Sequence, residues 1–296
     1  MKKIIAIFLA AVIAAASFSC KDLKRNNPYD PDSTDYGGIT YKEQVWYPDN
    51  AAISGMIISG GQLVFGGYNP TDGDCVMKMT GASAYYPVGS TGDTAGSFRY
   101  ITDICADDSG NIYAVDNKYM VQTISPSNVM GSWPISPGGI DNLSIECLNN
   151  NIFISNYLDK TVTKYSTAGV YADTLSLSFT SYGEFIPGRL IKGPNYLYVV
   201  NALDKSEIVR LNDALVNTGE FDFEDEIMDG VVCGTQMQFL ATQAVYKTDP
   251  GMVVALKWGN FGVGPGRVLN GKLITYNAAA DLVYVLDGLT IKKFGE

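Results

Sequence analysis

The 296-residue chain carries 31 acidic against 21 basic side chains, a formal net charge of −10, and no histidine. An acidic body repels phosphate backbones, which excludes nucleic acid as a partner and gives anionic headgroups no electrostatic hold on the protein surface. Without histidine, a histidine general base and a histidine-held zinc are excluded as well.

The chain starts Met1-Lys-Lys, runs through apolar residues 4–16 and reaches Ser17-Phe-Ser-Cys20. A basic start, a short apolar segment and a small residue before the cut read as a secretory signal peptide, too short to span a membrane as a helix. A cysteine directly after such a run resembles the lipobox of bacterial lipoproteins, with Ser17 standing where that motif usually has leucine. The resemblance implies that residues 1–19 are removed and that Cys20 is acylated, so that the membrane is reached through lipid. Loss of Lys2 and Lys3 then takes the net charge from −10 to −12.

Residues 21–38 are polar, and Pro28 and Pro31 among Asn and Asp oppose both helix and sheet, so residues 20–38 read as an extended tether. The run Asn27-Pro-Tyr-Asp-Pro31 also resembles the segment after the acylated cysteine in many bacterial envelope lipoproteins. Lys21 follows the cysteine in place of an Asp that would retain the chain at the inner membrane, which implies the outer membrane. Residues 39–48 are strand-like with no partner nearby in sequence.

From residue 51 onward one pattern recurs: a turn, then a short apolar strand ending on an oxygen-bearing side chain. It is clearest at residues 110–116 (Gly-Asn-Ile-Tyr-Ala-Val-Asp) and returns at 151–156, 195–201 and 281–287, with weaker copies at 61–67 and 237–243. With Leu63, Ile112, Ile152, Leu197, Phe239 and Val283 taken as equivalent, the spacings are 49, 40, 45, 42 and 44 residues. Strand repeats of that period predict an all-β, six-bladed β-propeller of four-stranded antiparallel blades over residues 39–296. The last repeat stops one strand short, so residues 39–48 are expected to supply its outer strand and close the ring, sparing an exposed edge. In the fifth repeat residues 244–250 read as a longer segment after the second strand.

The Gly-rich linker at residues 89–98, ending on Phe98, leads into residues 101–116 with the turn Asp107-Asp-Ser-Gly-Asn111. This stretch resembles the NHL-type repeat. The run Gly262-Val-Gly-Pro-Gly266 has the phase of the same linker and lacks the βα context of a phosphate-binding loop. Beyond Cys20, the cysteines Cys75, Cys105, Cys147 and Cys233 fall in separate repeats with no Cys-x-x-Cys pair and read as core thiols.

The residues ending the repeated strands, Asp116, Asn156, Asn201, Gln243 and Asp287, are expected on one face around the axis. Such a ring of oxygens can coordinate Ca²⁺; the same residues also serve simply to end strands and bond the following turn. No metal site is singled out beyond that. Arg99, Arg189 and Arg267, each in or just after a linker, are candidates to grip an acidic ligand by paired hydrogen bonds. No catalytic residue is singled out either, so the reading is a lipid-anchored, outer-membrane binding or scaffold module for a protein or polysaccharide. The alternative is a Ca²⁺-dependent lactonase-like hydrolase or lyase, with Asp103, Asp116, Glu146 and Glu184 as nominal bases.

Overall fold

The computed structural model describes residues 40–45, 51–81, 84–94, 96–117, 119–135, 144–242, 244–249, 251–259 and 267–295. The signal segment, Cys20, the tether, Gln243 and residues 262–266 lie outside the described residues.

Regular structure among the described residues is strand throughout. After β1 (Thr40–Val45), blade 1 is β2 (Ala52–Ser59), β3 (Gln62–Asn69), β4 (Gly73–Met79) and β5 (Tyr85–Val88). Blade 2 is β6 (Ile101–Ala106), β7 (Ile112–Asp116), β8 (Met120–Ile124) and β9 (Met130–Pro134). Blade 3 is β10 (Ser144–Leu148), β11 (Asn151–Asn156), β12 (Thr161–Ser166) and β13 (Tyr171–Ser176). A small hairpin, β14 (Phe179–Thr180) with β15 (Gly183–Glu184), decorates the link onward. Blade 4 is β16 (Pro187–Lys192), β17 (Leu197–Asn201), β18 (Glu207–Leu211) and β19 (Asn217–Asp222). Blade 5 is β20 (Ile227–Cys233), β21 (Gln236–Ala241), β22 (Val245–Thr248) and β23 (Val254–Trp258). Blade 6 has β24 (Gly271–Asn277), β25 (Leu282–Asp287) and β26 (Thr290–Gly295), and β1 completes it by pairing antiparallel with β26.

The ring therefore closes by joining the first strand to the last. Tyr41 sits edge-on against Phe294 with ring centroids 5.8 Å apart, so the closure buries aromatic surface as well as pairing backbone. In blade 5, residues 244–250 are not an extra segment: they hold the third strand, β22. The phase also shifts there. Ala241 pairs with Ile227 as Asp116 pairs with Ile101, Asn201 with Pro187 and Asp287 with Gly271, so Met237 rather than Phe239 is equivalent to Ile112.

Alternation along each strand sends side chains to both faces of a blade, and both faces meet a neighbouring blade. Six clusters of buried side chains result, each spanning one blade–blade interface. Cys105, Tyr113 and Val115 of blade 2 pack on Ile145, Cys147 and Ile152 of blade 3. Met56 and Phe65 of blade 1 pack on Leu273 and Leu286 of blade 6. Each fully buried apolar side chain contributes about 1.5–3 kcal/mol. Cys75, Cys105 and Cys147 are buried and Cys233 is half-buried, and none of the four forms a disulfide among the described residues. Burial pushes the Cys75 and Cys147 thiols up to about 12, so they stay protonated. Gly169, at φ +81°, lies under Trp133, where a Cβ would meet the indole at 2.4 Å.

Candidate functional site at the axis

The innermost strand of each blade lines the axis, and in five of the six it carries an irregularity near its start. The register shifts between Ile53 and Gly55, Ile101 and Asp103, Pro187 and Leu190, Ile227 and Asp229, and Gly271 and Leu273. A bulge inserts a residue and re-aims the side chains beside it. Here the bulges accompany three charged residues that meet one another across the ring: Asp103 from β6, Arg189 from β16 and Asp229 from β20.

Arg189 Nη1 donates to Asp103 Oδ1 at 2.7 Å, and its Nε donates to Asp229 Oδ1 at 3.0 Å. Asp103 is 1% exposed and Asp229 3%. Each carboxylate is satisfied beyond the arginine. Asp103 also accepts from Ile104 N at 2.9 Å, Ser144 Oγ at 2.5 Å and Ile145 N at 3.1 Å. Asp229 Oδ2 accepts from Ile274 N at 2.9 Å, so the triad ties blades 2, 3, 4, 5 and 6 to one point. Burial raises both carboxyl pKa values, and Arg189 pulls them back down. Burial also opposes the guanidinium charge, but Asp103 and Asp229 outweigh it and hold Arg189 above its ordinary value.

Gly55 completes the ring on the blade 1 side. A Cβ at that position would lie 2.8 Å from Ile104 N and 3.1 Å from Asp103 Oδ1, so only glycine lets blade 1 approach the triad this closely.

Arg189 lines two chambers. One, of about 540 Å³, opens on the face where the innermost strands begin, and takes in Tyr100, Tyr157, Asn201 and Lys205. The other, of about 550 Å³, lies toward the opposite face and takes in Glu146, Lys192, Asp108 and Asp229. In the second chamber burial pushes the Glu146 carboxyl up to about 7, against the opposing pull of the Cys147 N–H at 2.8 Å and of Lys192. For Lys192, burial disfavours the ammonium, while Glu146 and Asp108 restore it and raise its pKa; it reaches Asp108 at 3.3 Å.

The strand-ending residues turn to their own blades. Buried Asp116 accepts from Arg99 N at 3.4 Å. Asn201 accepts from Ile186 N at 3.1 Å and Leu203 N at 3.0 Å, and donates to Glu207 at 2.7 Å. Asp287 takes Asn270 N at 2.6 Å and a buried ion pair with Lys292 at 2.6 Å. Asn156 accepts from Leu158 N at 3.0 Å and Asp159 N at 3.2 Å. Among the described residues no three His, Cys, Asp or Glu side chains are grouped to hold a metal ion.

The three arginines have separate partners. Arg189 is at the axis; Arg99 is exposed and pairs with Asp93 of its own linker at 2.6 Å; Arg267 is exposed in the blade 6 linker, its carbonyl accepting from Lys292. Of the nominal bases, Asp103 and Glu146 reach the axis, whereas Glu184 is exposed and pairs with Lys160 at 2.6 Å. Sequence reasoning passed over Asp229 and Lys205. Asp229 had a readable signal, since Ile101-Thr-Asp103 and Ile227-Met-Asp229 repeat a carboxylate two residues after the isoleucine that opens an apolar strand.

No protein-family model matches the chain, and no curated protein matches it. Solved structures do. A streptogramin B lyase structure superposes with a TM-score of 0.59 at 10% identity, over 86% of this chain and 96% of that one. A virginiamycin B lyase from Staphylococcus aureus gives 0.60 at 11% identity, over 87% and 99%. The WD40 repeats of RRP9 give 0.58 at 7% identity, over 88% and 97%. The likeness is one of fold.

Proposed function

We propose that this chain is a non-catalytic binding propeller of the bacterial cell envelope, held to the outer membrane through lipid on Cys20 and presenting one face to a protein or polysaccharide. The observation that carries the binding role is the distribution of exposed large apolar side chains. Because strands alternate in direction within a blade, the second-to-third strand turns and the links between blades share one face. That face exposes Tyr68, Tyr100, Leu158, Leu203 and Leu289 at blade turns and links, together with Phe179 and Tyr182 of the small hairpin. Among the described residues the third-to-fourth strand turns, on the other face, expose the smaller Val129, Val170, Val216 and Val253, with Tyr86 and Tyr171 at the starts of the adjoining outermost strands. Exposed aromatic and leucine groups around a polar opening are what an interaction face presents.

The sequence resemblances to lipoproteins and to NHL-type repeats support the anchoring and the repeat class. The enzyme alternative has one favouring observation, the raised carboxyl of Glu146 beside Lys192 in a chamber, which suits a general acid–base pair. The described strand-ending oxygens accept hydrogen bonds within their own blades, which lends its Ca²⁺ route no support.

The test compares faces. Leu158→Asp with Leu203→Asp should abolish retention of envelope protein or polysaccharide on the immobilised chain, while Val129→Asp with Val170→Asp should not. Equal loss from both pairs, or none from either, would reject the face. Cys20→Ser should release the chain from the membrane fraction; if it stays bound, the lipid is not the anchor.

A further inference from the structure

We infer that the chamber on the apolar face is a binding site for a small monoanionic carboxylate ligand, of the size and class of a hexuronate, gripped by Arg189 and Lys205. This rests on the binding reading above and names what its central cavity takes.

Most polar groups of the chamber are already committed. Ser54 Oγ donates to Ile101 O at 2.7 Å and Thr102 Oγ1 to Val115 O at 3.3 Å. Ser144 Oγ donates to Asp103 and accepts from Leu190 N at 3.0 Å. Asn201 is engaged through both its oxygen and its nitrogen. Asp103 accepts four donors and has no capacity left for a ligand.

What remains is two cations, which can only donate, and two phenols, which can donate or accept. Arg189 uses only Nε and Nη1, so among the described residues Nη2 meets no acceptor, although the side chain is just 20% exposed. Half-buried Lys205 has no oxygen partner among the described residues; its ammonium touches only the Met228 sulfur, at 3.9 Å. The hydroxyls of Tyr100 and Tyr157 carry no hydrogen bond among the described residues and line the same chamber. Tyr100 is held there at φ +57°, a left-handed backbone unusual for a bulky residue.

A cavity whose unspent charged groups, Arg189 Nη2 and the Lys205 ammonium, can only donate favours an anionic acceptor, toward which the two phenols can donate as well, and a planar carboxylate suits a guanidinium edge. Charge fits as well. Arg189 already faces two carboxylates, Asp103 and Asp229, so the charge left for a ligand is the Lys205 ammonium, which one carboxylate neutralises and a dianion would overshoot. The volume of about 540 Å³ suits a ligand of sugar size, with two phenol rings at hand as apolar walls.

The test is calorimetric titration of the full chain with galacturonate and glucuronate, with galactose and methyl galacturonate as neutral counterparts. At least one acid should bind roughly tenfold or more tightly than its neutral counterparts, and Lys205→Gln should cost that acid about tenfold while leaving the weak neutral binding unchanged. The inference is overturned if neither acid produces heat up to about 10 mM, if acid and neutral sugars bind alike, or if Lys205→Gln leaves acid binding intact. Retention of the envelope partner, measured in parallel on Lys205→Gln, separates the two readings. Lost carboxylate binding with partner retention kept supports this site, and retention lost only in the Leu158→Asp, Leu203→Asp protein bears on the face alone.

Discussion

Arg189 and Asp103 stand 86 residues apart in the chain and meet at 2.7 Å across the propeller axis. The contact exists because the innermost strands β6 and β16 bulge near their starts and turn a side chain inward, and Asp229 joins it from the bulged β20 of a third blade at 3.0 Å. One guanidinium thus serves two buried carboxylates. Removing the arginine leaves both without their counter-charge, which costs more than the pairing itself contributes. Arg189→Met should lower unfolding stability by about 3–5 kcal/mol in urea denaturation. Adding Asp103→Asn and Asp229→Asn to that variant should recover part of the loss. A loss below about 1 kcal/mol for Arg189→Met would mean that water replaces the arginine.

Closure by β1 yields a second expectation. Residues 40–45 pair with β26 and bring Tyr41 onto Phe294 and Glu43 onto Lys293. A chain beginning at residue 46 should have a markedly lower thermal midpoint than one beginning at residue 39, because β26 would lose its ladder partner and Phe294 its cover. Equal midpoints would show that the ring holds without the N-terminal strand.

The architecture was legible because the propeller repeats a strand ending, and a strand ending is local chemistry. Asp107 shows this directly: its carboxylate accepts from Ser109 N, Asn111 N, the Asn111 amide and the Tyr113 hydroxyl, while Gly110 takes φ +82°, so the turn's composition and its geometry are one fact. The closing strand was legible from a missing partner. The phase of blade 5 was not, since Met237 and Phe239 are both apolar and two residues apart, and alternation alone cannot choose between them. A stronger repeat went unread: Ser125, Ser166, Asn212 and Asp249 each accept from the N–H four residues on, at Val129, Val170, Val216 and Val253. Its residue types vary while its hydrogen bond does not. The axial site was hidden for a different reason. Asp103, Arg189 and Asp229 meet through ring closure, and Arg99 and Arg267 resembled Arg189 in placement without sharing its bulged strand.

Calcium gives a third expectation. A site filled to a hundredfold excess over Kd would add about 2.7 kcal/mol to native stability. Because Asp116, Asn201 and Asp287 already accept from the links entering their blades, the thermal midpoint should be the same in chelator and in millimolar Ca²⁺. A rise that disappears in Asp116→Ala and Asp287→Ala would restore the metal-dependent enzyme.

Glu146 makes stability depend on pH in a direction opposite to most carboxylates. Its carboxyl titrates at about 7 in the folded chain against 4.5 for the free group, chiefly through burial, with the Cys147 N–H and Lys192 opposing and Asp103 adding to the rise. Between those two values the native state holds the proton more tightly than the unfolded state. Stability therefore falls as pH rises from 4.5 toward 7 and is level above it as far as this residue is concerned. The full difference corresponds to about 3 kcal/mol, and access of water to this half-buried side chain reduces it, so about 1–3 kcal/mol is expected. Glu146→Gln keeps the shape and removes the charge. The variant should exceed the parent by that amount in denaturant unfolding at pH 8, and the gap should shrink toward zero near pH 4.5. Asp103 and Asp229, also raised by burial, lend the parent and the variant the same remaining slope. A constant gap across this range would assign the effect of Glu146 to packing, and a variant less stable than the parent at pH 8 would show that its charge is held by Lys192 rather than penalised by burial.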